Sequence, residues 1–276
     1  MQVDQYLTLY MKSFKKTFSI FFLFTVLIIS MKGCSDSPTS STEQGVITDG
    51  MVADIDGNMY VTVLIGNQMW MAENLRVTRY RDGSEIFSNL SNDAWRNTSN
   101  GAYSGYPNSE ILNNPMQSDN HVVEAYGLLY NWHAVNDSRG VCPEGWSVPT
   151  DAQWSELAEY IGGDDPPNGN KLKSRRQLLS PFGGVFDTDE HPRWVYQDEH
   201  YGTNLYGFSA LPAGVRLPNG TFNWMGQIAA FWSTNERSET TSWRRALTAN
   251  AGSFIRAEIQ KNYGKSVRCI QDEHQE

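Results

Sequence analysis

The feature that most constrains this chain is a pair of cysteines far apart in the sequence, Cys142 in the stretch VCPEGWSVPT and Cys269 in SVRCI. Apart from Cys34, near the N-terminus, the chain has no other cysteine. In an oxidising compartment Cys142 and Cys269 therefore have only each other as partners. A bridge between them closes a loop of more than a hundred residues, which stabilises a fold by about 4 to 5 kcal/mol in the chain-entropy model.

The first residues of the chain have the pattern of an export signal. Three lysines follow Met11 and precede an apolar run of about a dozen residues, 18–29, which is shorter than the roughly 20 residues that span a bilayer. This length matches the apolar core of a signal peptide. We therefore expect translation to start at Met11 and residues 1–33 to be a signal peptide that is removed.

The dipeptide Gly33-Cys34 resembles the cleavage site of a bacterial lipoprotein signal. Cys34 is then the lipid-modified first residue of the mature chain, whereas the alternative is a secreted protein with a free thiol. Lipidation is favoured, because an exposed thiol is reactive and acyl chains supply membrane affinity. Residues 34–50, rich in Ser and Thr, are the expected flexible tether. The predicted location is the cell envelope, as an outer-membrane lipoprotein on the periplasmic or external side.

Residues 51–273 have the composition of one folded domain with short strands and ordered loops. The chain is 39% hydrophobic and contains 23 glycines and 11 prolines that punctuate short apolar runs, a pattern typical of strands rather than of a helical bundle. The clearest hairpin joins residues 59–65 and 68–71 through Gly66-Asn67. The predicted fold class is α+β, a single domain with a twisted mixed, mostly antiparallel sheet, few helices and long irregular loops.

The clearest helix follows Thr150. Thr150 and Gln153 form a capping box, apolar residues recur at helical spacing from Trp154, and Gly162-Gly163 ends the pattern. A second short helix is expected at residues 171–179.

Charge and motifs exclude several functions. The formal net charge is −9, and it becomes −12 without residues 1–33, which carry four lysines and one aspartate. An acidic surface repels phosphate backbones, so nucleic acid is not an expected partner.

The sequence contains no phosphate-binding loop, dinucleotide fingerprint, zinc-protease motif or nucleophile elbow. The sequence does not exclude a pair of catalytic carboxylates that meet only in the folded chain. Enzyme activity is therefore undecided, and a non-enzyme is favoured.

Two acidic stretches raise the question of calcium. The stretch DIDGN at residues 54–58 is interpreted as a tight turn, because it lacks the remaining ligands of a calcium loop. The stretch DTDEH at residues 187–191 is interpreted as a solvated loop, because its spacing fixes no coordination geometry. No metal or other cofactor is therefore predicted.

The tryptophans divide into two groups. Five lie in apolar phrases and most are predicted to be core: Trp70, Trp132, Trp146, Trp154 and Trp232. Four lie near turns or polar neighbours and are the candidates for stacking against sugars: Trp95, Trp194, Trp224 and Trp243.

Other residues have two open interpretations. Tyr103 and Tyr106, like Trp95, either pin a long loop to the core, which we favour, or form a stacking platform. His133 is interpreted as a core histidine rather than a catalytic one. Arg216 and Arg268 follow apolar strands and are expected to be buried ion-pair partners rather than ligand contacts.

Six phrases occur together and in order: GNQMWMAENL, YGLLYNWHAV, VCPEGWSVPTDAQW, YGFSALPAGVR, AAFWSTNE and GKSVRCI. They resemble the Fibrobacter succinogenes major paralogous domain family of secreted proteins and lipoproteins. The resemblance implies a fold similar to the sulfatase-modifying (formylglycine-generating) and C-type-lectin-like domains, and it supports a Cys142–Cys269 bridge. Formylglycine-generating enzymes use reactive cysteines with copper, but Cys142 and Cys269 lie in structural contexts. We therefore assign no catalytic residue.

The function expected from these features is that of a non-catalytic envelope lipoprotein whose lectin-like domain binds a glycan or a protein partner. One alternative is an enzyme that acts on an extracellular or cell-wall substrate through loop carboxylates. Another is a purely structural envelope component.

Overall fold

The computed structural model of the protein describes residues 50–107, 109, 118–177 and 194–273. The predicted signal peptide, Cys34, nearly all of the tether and the acidic stretch at 187–191 lie outside the described residues.

The described residues form short strands and a few helices. The strands are β1 (Met51–Ala53), β2 (Met59–Ile65), β3 (Gln68–Met71), β4 (Tyr103–Ser104), β5 (Leu129–Tyr130), β6 (Trp146–Ser147), β7 (Val215–Arg216), β8 (Phe222–Asn223), β9 (Ile228–Glu236), β10 (Thr241–Thr248), β11 (Ile255–Gln260) and β12 (Ile270–Gln271). The helices are α1 (Asn92–Asn97), α2 (Asp119–Tyr126), α3 (Trp132–Val135) and α4 (Asp151–Tyr160).

A five-stranded sheet joins the two ends of the domain in the order β1-β2-β3-β12-β6. The predicted hairpin is confirmed, with Ile65 opposite Gln68 and Gly66 at a φ of 63° in the turn, a conformation that glycine adopts without steric cost. Strand β12, near the end of the described chain, lies between β3 and β6. The last strand therefore completes the middle of a sheet that the first strands begin.

A three-stranded sheet, β11-β10-β9, packs beside the first one. A bridge between Phe231 and Ser266 links β9 to the segment that leads into β12. Helix α4 covers this sheet, because the Trp154 ring stacks on Phe231 with centroids 5.7 Å apart and its indole N–H donates to the Trp232 carbonyl oxygen at 3.1 Å. Among the apolar clusters of the described chain, one surrounds Trp154 and another surrounds the cysteines.

Helix α4 has the predicted capping box between Thr150 and Gln153. The second predicted helix, at residues 171–179, is wrong over its described part. A short 3-10 helix, Asn168–Lys171, ends there, and Lys173 then forms a bridge with Ala210. Tertiary pairing with the 210 segment outweighs local helix propensity at this position.

The α+β fold class is confirmed, since the paired strands of the described chain are antiparallel and its helices are few. The mixed character is limited to isolated parallel bridges, such as Phe87 to Ala102, and the strands form several small sheets rather than one. Residues Gln44–Glu276 cluster as one compact unit. Within the described residues, no helix is both long and apolar enough to cross a membrane.

Candidate functional site

The disulfide between Cys142 and Cys269 is present, with 127 residues of sequence separation. Both cysteines are buried in the core that also contains Trp132 and Trp146. Neither sulfur is a thiolate in this form, so neither supplies the nucleophile or metal ligand that cysteine chemistry requires.

Arg268 is fully buried next to this disulfide, but it forms no ion pair with any carboxylate of the described residues. Its guanidinium group donates to the Asn74 side-chain oxygen at 2.8 Å and to the Ser209 carbonyl oxygen at 2.8 Å. Further donations reach the Met71 and Phe208 carbonyl oxygens. Burial lowers the pKa of Arg268 to about 9. The expected ion pair is replaced by neutral acceptors, because the planar group spans several backbone oxygens at once.

Arg216 is also buried without a carboxylate partner among the described residues. Its guanidinium group lies 4.3 Å from the centroid of Trp95 and donates to the Leu90 and Gly220 carbonyl oxygens at 2.7 and 2.9 Å. Burial lowers the pKa of Arg216 to about 10. The stack on Trp95 holds Arg216 in the lining of a cleft. Arg216 is therefore a candidate ligand contact, contrary to the sequence-based expectation.

That cleft has a volume of about 550 Å³. Its aromatic lining is Tyr103, Tyr106 and Phe222, with Tyr106 and Phe222 centroids 5.1 Å apart. Its polar lining includes Arg76, Thr78, Ser88, Asn89, Ser104, Asp119, Asn120 and Arg216. Rings beside hydroxyl, amide and charged groups suit a ligand with both apolar and polar faces.

One polar group in this cleft lacks a partner. The hydroxyl of Ser104 on β4 is buried and makes no hydrogen bond within the described part of the protein. A buried hydroxyl without a partner costs free energy and calls for an explanation. Its oxygen is shielded from solvent, so a ligand in the cleft does not reach it in this conformation.

A smaller cleft has a volume of about 250 Å³. Its lining includes residues near 85–87 and 99–101, which directly precede segments that line the larger cleft. Phe87, with 58% of its surface exposed, and His133 contribute rings to it. Burial lowers the pKa of His133, and the charge of Lys261 adds to the effect. His133 is half-buried and lines this cleft rather than the inner core, which is a departure from its predicted position.

Two carboxylates, Glu85 and Asp137, line the smaller cleft. Asp137 is held by Arg139, whose Nε and Nη2 atoms donate to its two oxygens at 2.8 and 2.7 Å. These hydrogen bonds lower the pKa of Asp137. A lowered pKa is opposite to what a general acid needs.

The four tryptophans proposed for sugar stacking have different surroundings. Trp95 is fully buried and Trp194 is 2% exposed, with its indole N–H donating to the Ala210 carbonyl oxygen. The stacking prediction is therefore wrong for these two, because large rings near turns are drawn into the core. The five tryptophans predicted as core are all buried.

Trp243 and Trp224 remain partly exposed. The guanidinium group of Arg256 lies 3.6 Å from the centroid of Trp243, so one face of this ring is covered. Trp224 is 41% exposed, and its backbone has a φ of 62°. Of the four predicted stacking residues, Trp224 is the one that has an open ring.

Tyr106 is buried, as the pinning interpretation predicts, whereas Tyr103 is partly exposed and lines the larger cleft. Sequence reasoning missed Phe222 and the polar residues Ser88, Asn89 and Ser104. The sequence signal for this cleft was weak: aromatic residues occur next to small or polar ones at 103–106 and 222–224.

Residues 54–58 form the predicted tight turn, in which Asp54 accepts hydrogen bonds from the backbone of Asp56 and Asn58 and from the Tyr60 hydroxyl. The neighbouring carboxylate of Asp56 bonds Thr78 and Arg79. Burial raises the pKa of Asp56, but these hydrogen bonds outweigh it, so the net direction is downward. Over the described ranges, no group of three His, Cys, Asp or Glu side chains is placed to hold a metal ion.

Comparison with protein-family models matches residues 63–271 to the Fibrobacter succinogenes major domain. Comparisons with curated proteins and with solved structures gave no match.

Proposed function

The chain belongs to the Fibrobacter succinogenes major domain family, and from this premise we propose that it is a non-catalytic carbohydrate-binding module of the cell envelope. The bound sugar chain occupies the larger cleft, between β4 and the hairpin β7–β8. A lipid on Cys34 holds the module at the membrane.

The observation that carries this proposal is the combination of groups in the larger cleft. Its volume of about 550 Å³ lies within the roughly 300 to 1,000 Å³ of small-ligand sites. The rings of Tyr103 and Phe222 offer apolar surface for the face of a sugar. The hydroxyl of Ser88 and the amides of Asn89 and Asn120 offer hydrogen-bond partners for sugar hydroxyls.

The backbone at Trp224 supports the same proposal. Trp224 lies two residues after Phe222, which lines the cleft. A bulky residue at positive φ is strained by about 1 to 2 kcal/mol, and such strain is concentrated at functional sites. We assign Trp224 as an outer stacking ring for a sugar that extends beyond the cleft.

The direct test is calorimetric titration of the mature chain with oligosaccharides from plant and bacterial polysaccharides, with and without calcium. We expect saturable binding to one class, weakened up to about tenfold by Tyr103→Ala, because stacking on a ring contributes up to about 1.5 kcal/mol. Tyr196→Ala is the matched control, since Tyr196 is 51% exposed and is not among the lining residues of the clefts. Equal binding by the Tyr103 variant and the wild type would reject the cleft.

The alternative of a hydrolase is favoured by one observation, the presence of Glu85 and Asp137 in the smaller cleft. The same oligosaccharides, incubated with the protein and analysed by mass spectrometry, distinguish the two functions. A binding module returns them intact. If the wild type cleaves the oligosaccharides and Glu85→Gln does not, the function is hydrolysis rather than binding.

The envelope location is tested by fractionation of cells that express the full chain. We expect the wild type in the membrane fraction and Cys34→Ala in the soluble fraction, because lipidation supplies the membrane affinity. Membrane association of Cys34→Ala would overturn the lipid anchor and leave the binding proposal unaffected.

A further inference from the structure

Two cationic side chains near Trp232, the half-buried Arg244 and the buried Lys265, form no ion pair with a carboxylate of the described residues. Arg244 is on β10, opposite Trp232 of β9 and Ala257 of β11. Lys265 is 3% exposed, and its ammonium group lies 5.5 Å from the centroid of Trp232 and 4.5 Å from that of Tyr263. Both side chains therefore lie on the face of β10 opposite to the one that packs against α4.

The hydrogen bonds of the pair are incomplete. The Nε and Nη1 atoms of Arg244 are buried and have no partner within the described part of the chain. Burial lowers the pKa of Lys265 well below its usual value, and the positive charge of Arg244 lowers it further. Burial also lowers the pKa of Arg244, and Tyr263 is the one group that acts in the opposite direction. Each of the two groups is therefore less stable as a cation at this position than in water.

Neighbouring cations on the same sheet are compensated. Arg245 pairs with Asp164, Arg256 pairs with Asp151, and Lys261 pairs with Glu236. An uncompensated buried charge is costly, and proteins pair such charges or neutralise them. Arg244 and Lys265 have no such carboxylate partner among the described residues.

The residues beside the cluster are not all buried. Three apolar or aromatic residues on or near the edge strand β11 are only partly buried: Ile255, Ile259 and Tyr263. Neither Arg244 nor Lys265 is among the lining residues of the two clefts described above. The cluster is therefore a separate site.

We propose that Arg244 and Lys265 bind an oxyanion, a carboxylate, sulfate or phosphate group carried by a ligand. The guanidinium fork matches two oxygens of such a group, and the ammonium group adds a point charge beside it. Tyr263 offers a phenol at the partly exposed edge.

The test measures the melting temperature of the mature chain in acetate, sulfate or phosphate, with chloride at equal ionic strength as the reference. For one anion at about five times its Kd, the melting temperature should rise by about 2 to 4 °C over chloride. A response to acetate alone identifies a carboxylate ligand, and a response to sulfate or phosphate identifies a tetrahedral one. The absence of a shift over chloride for all three anions overturns the proposal, whatever the variants do.

Variants separate binding from general salt effects. In chloride, Arg244→Met and Lys265→Met should each melt at or above the wild-type temperature, because each removes the repulsion between the two cations. Both should lose at least tenfold in anion affinity. Arg237→Gln, which removes an exposed charge on the same sheet, should keep the wild-type response. If Arg244→Met and Lys265→Met keep that response as well, the anion binds elsewhere and the site is rejected.

Discussion

Cys142 and Cys269 join the segments that lead into β6 and β12, two neighbouring strands at one side of the five-stranded sheet. Cys269 directly precedes β12, and its carbonyl oxygen accepts a hydrogen bond from the Met71 backbone at 3.0 Å. Cys142 precedes β6, the other neighbour of β12. The disulfide therefore fixes the late strand between two segments that are far earlier in the chain.

Removal of this disulfide should destabilise the domain strongly. The double variant Cys142→Ala/Cys269→Ala should lose about 4 to 5 kcal/mol of unfolding free energy, because the unfolded chain regains the entropy of a long loop. Urea unfolding followed by tryptophan fluorescence measures the loss, with the wild type in reductant as an independent version of the same change. An unchanged urea midpoint in both would contradict the prediction.

Arg268 should be intolerant even of lysine. Arg268→Lys replaces a planar group bonded to Asn74 and to three carbonyl oxygens by an ammonium group with a different geometry. The expected loss is about 2 to 4 kcal/mol, since buried acceptors lose their donors. Urea unfolding measures it, with the exposed Arg237→Lys as the control, which should stay within about 0.5 kcal/mol of wild type. A loss for Arg268→Lys no larger than that of the control would show that the network is dispensable.

Stability should rise with pH above neutrality because of Lys173. Burial lowers the pKa of Lys173 to about 7, whereas that of an unfolded lysine is about 10.4. Between these values the unfolded chain binds more protons than the folded one, so the unfolding free energy increases with pH. The contribution of Lys173 is about 2 kcal/mol between pH 7 and 9.

This window ends near pH 10, because buried tyrosines act in the opposite direction there. Burial and the Asp137 charge raise the pKa of Tyr80 to about 12, so the unfolded tyrosine ionises first and stability falls. Urea unfolding at pH 7, 8 and 9 checks the prediction. Lys173→Met should have a smaller pH slope than the wild type, and equal slopes would refute the assignment.

Sequence patterns predicted the local parts of this fold well. The hairpin at Gly66-Asn67 and the capped helix after Thr150 depend on neighbouring residues, and both formed as expected. The helix expected at 171–179 did not form over its described part, because the pairing of Lys173 with Ala210 involves distant segments. Local propensity does not contain that information.

The candidate sites were harder to predict for the same reason. The larger cleft brings together Arg76, Tyr103 and Phe222, which are far apart in the sequence. Burial decided which aromatic rings remained available: Trp95 and Trp194 entered the core, whereas Trp224 stayed exposed. Arg244 and Lys265 showed no pattern at all, since their lack of carboxylate partners is visible only in the folded chain.

Trp224 gives a test that separates ligand contact from stability. Its backbone has a φ of 62°, so Trp224→Gly relieves strain of about 1 to 2 kcal/mol while it removes the partly buried ring. These effects offset each other, and the unfolding free energy should stay within about 1 kcal/mol of wild type. Affinity for the bound oligosaccharide should nevertheless fall about tenfold, because the stacking surface is gone.

Trp243→Ala is the matched control, since Arg256 already covers one face of the Trp243 ring. Calorimetric titration of the two variants, with urea unfolding of each, completes the comparison. Wild-type affinity in Trp224→Gly would show that Trp224 does not contact the sugar. The positive φ of Trp224 would then have a structural role rather than a binding role. Loss of affinity in both variants would instead place the sugar across the sheet surface that contains Trp243.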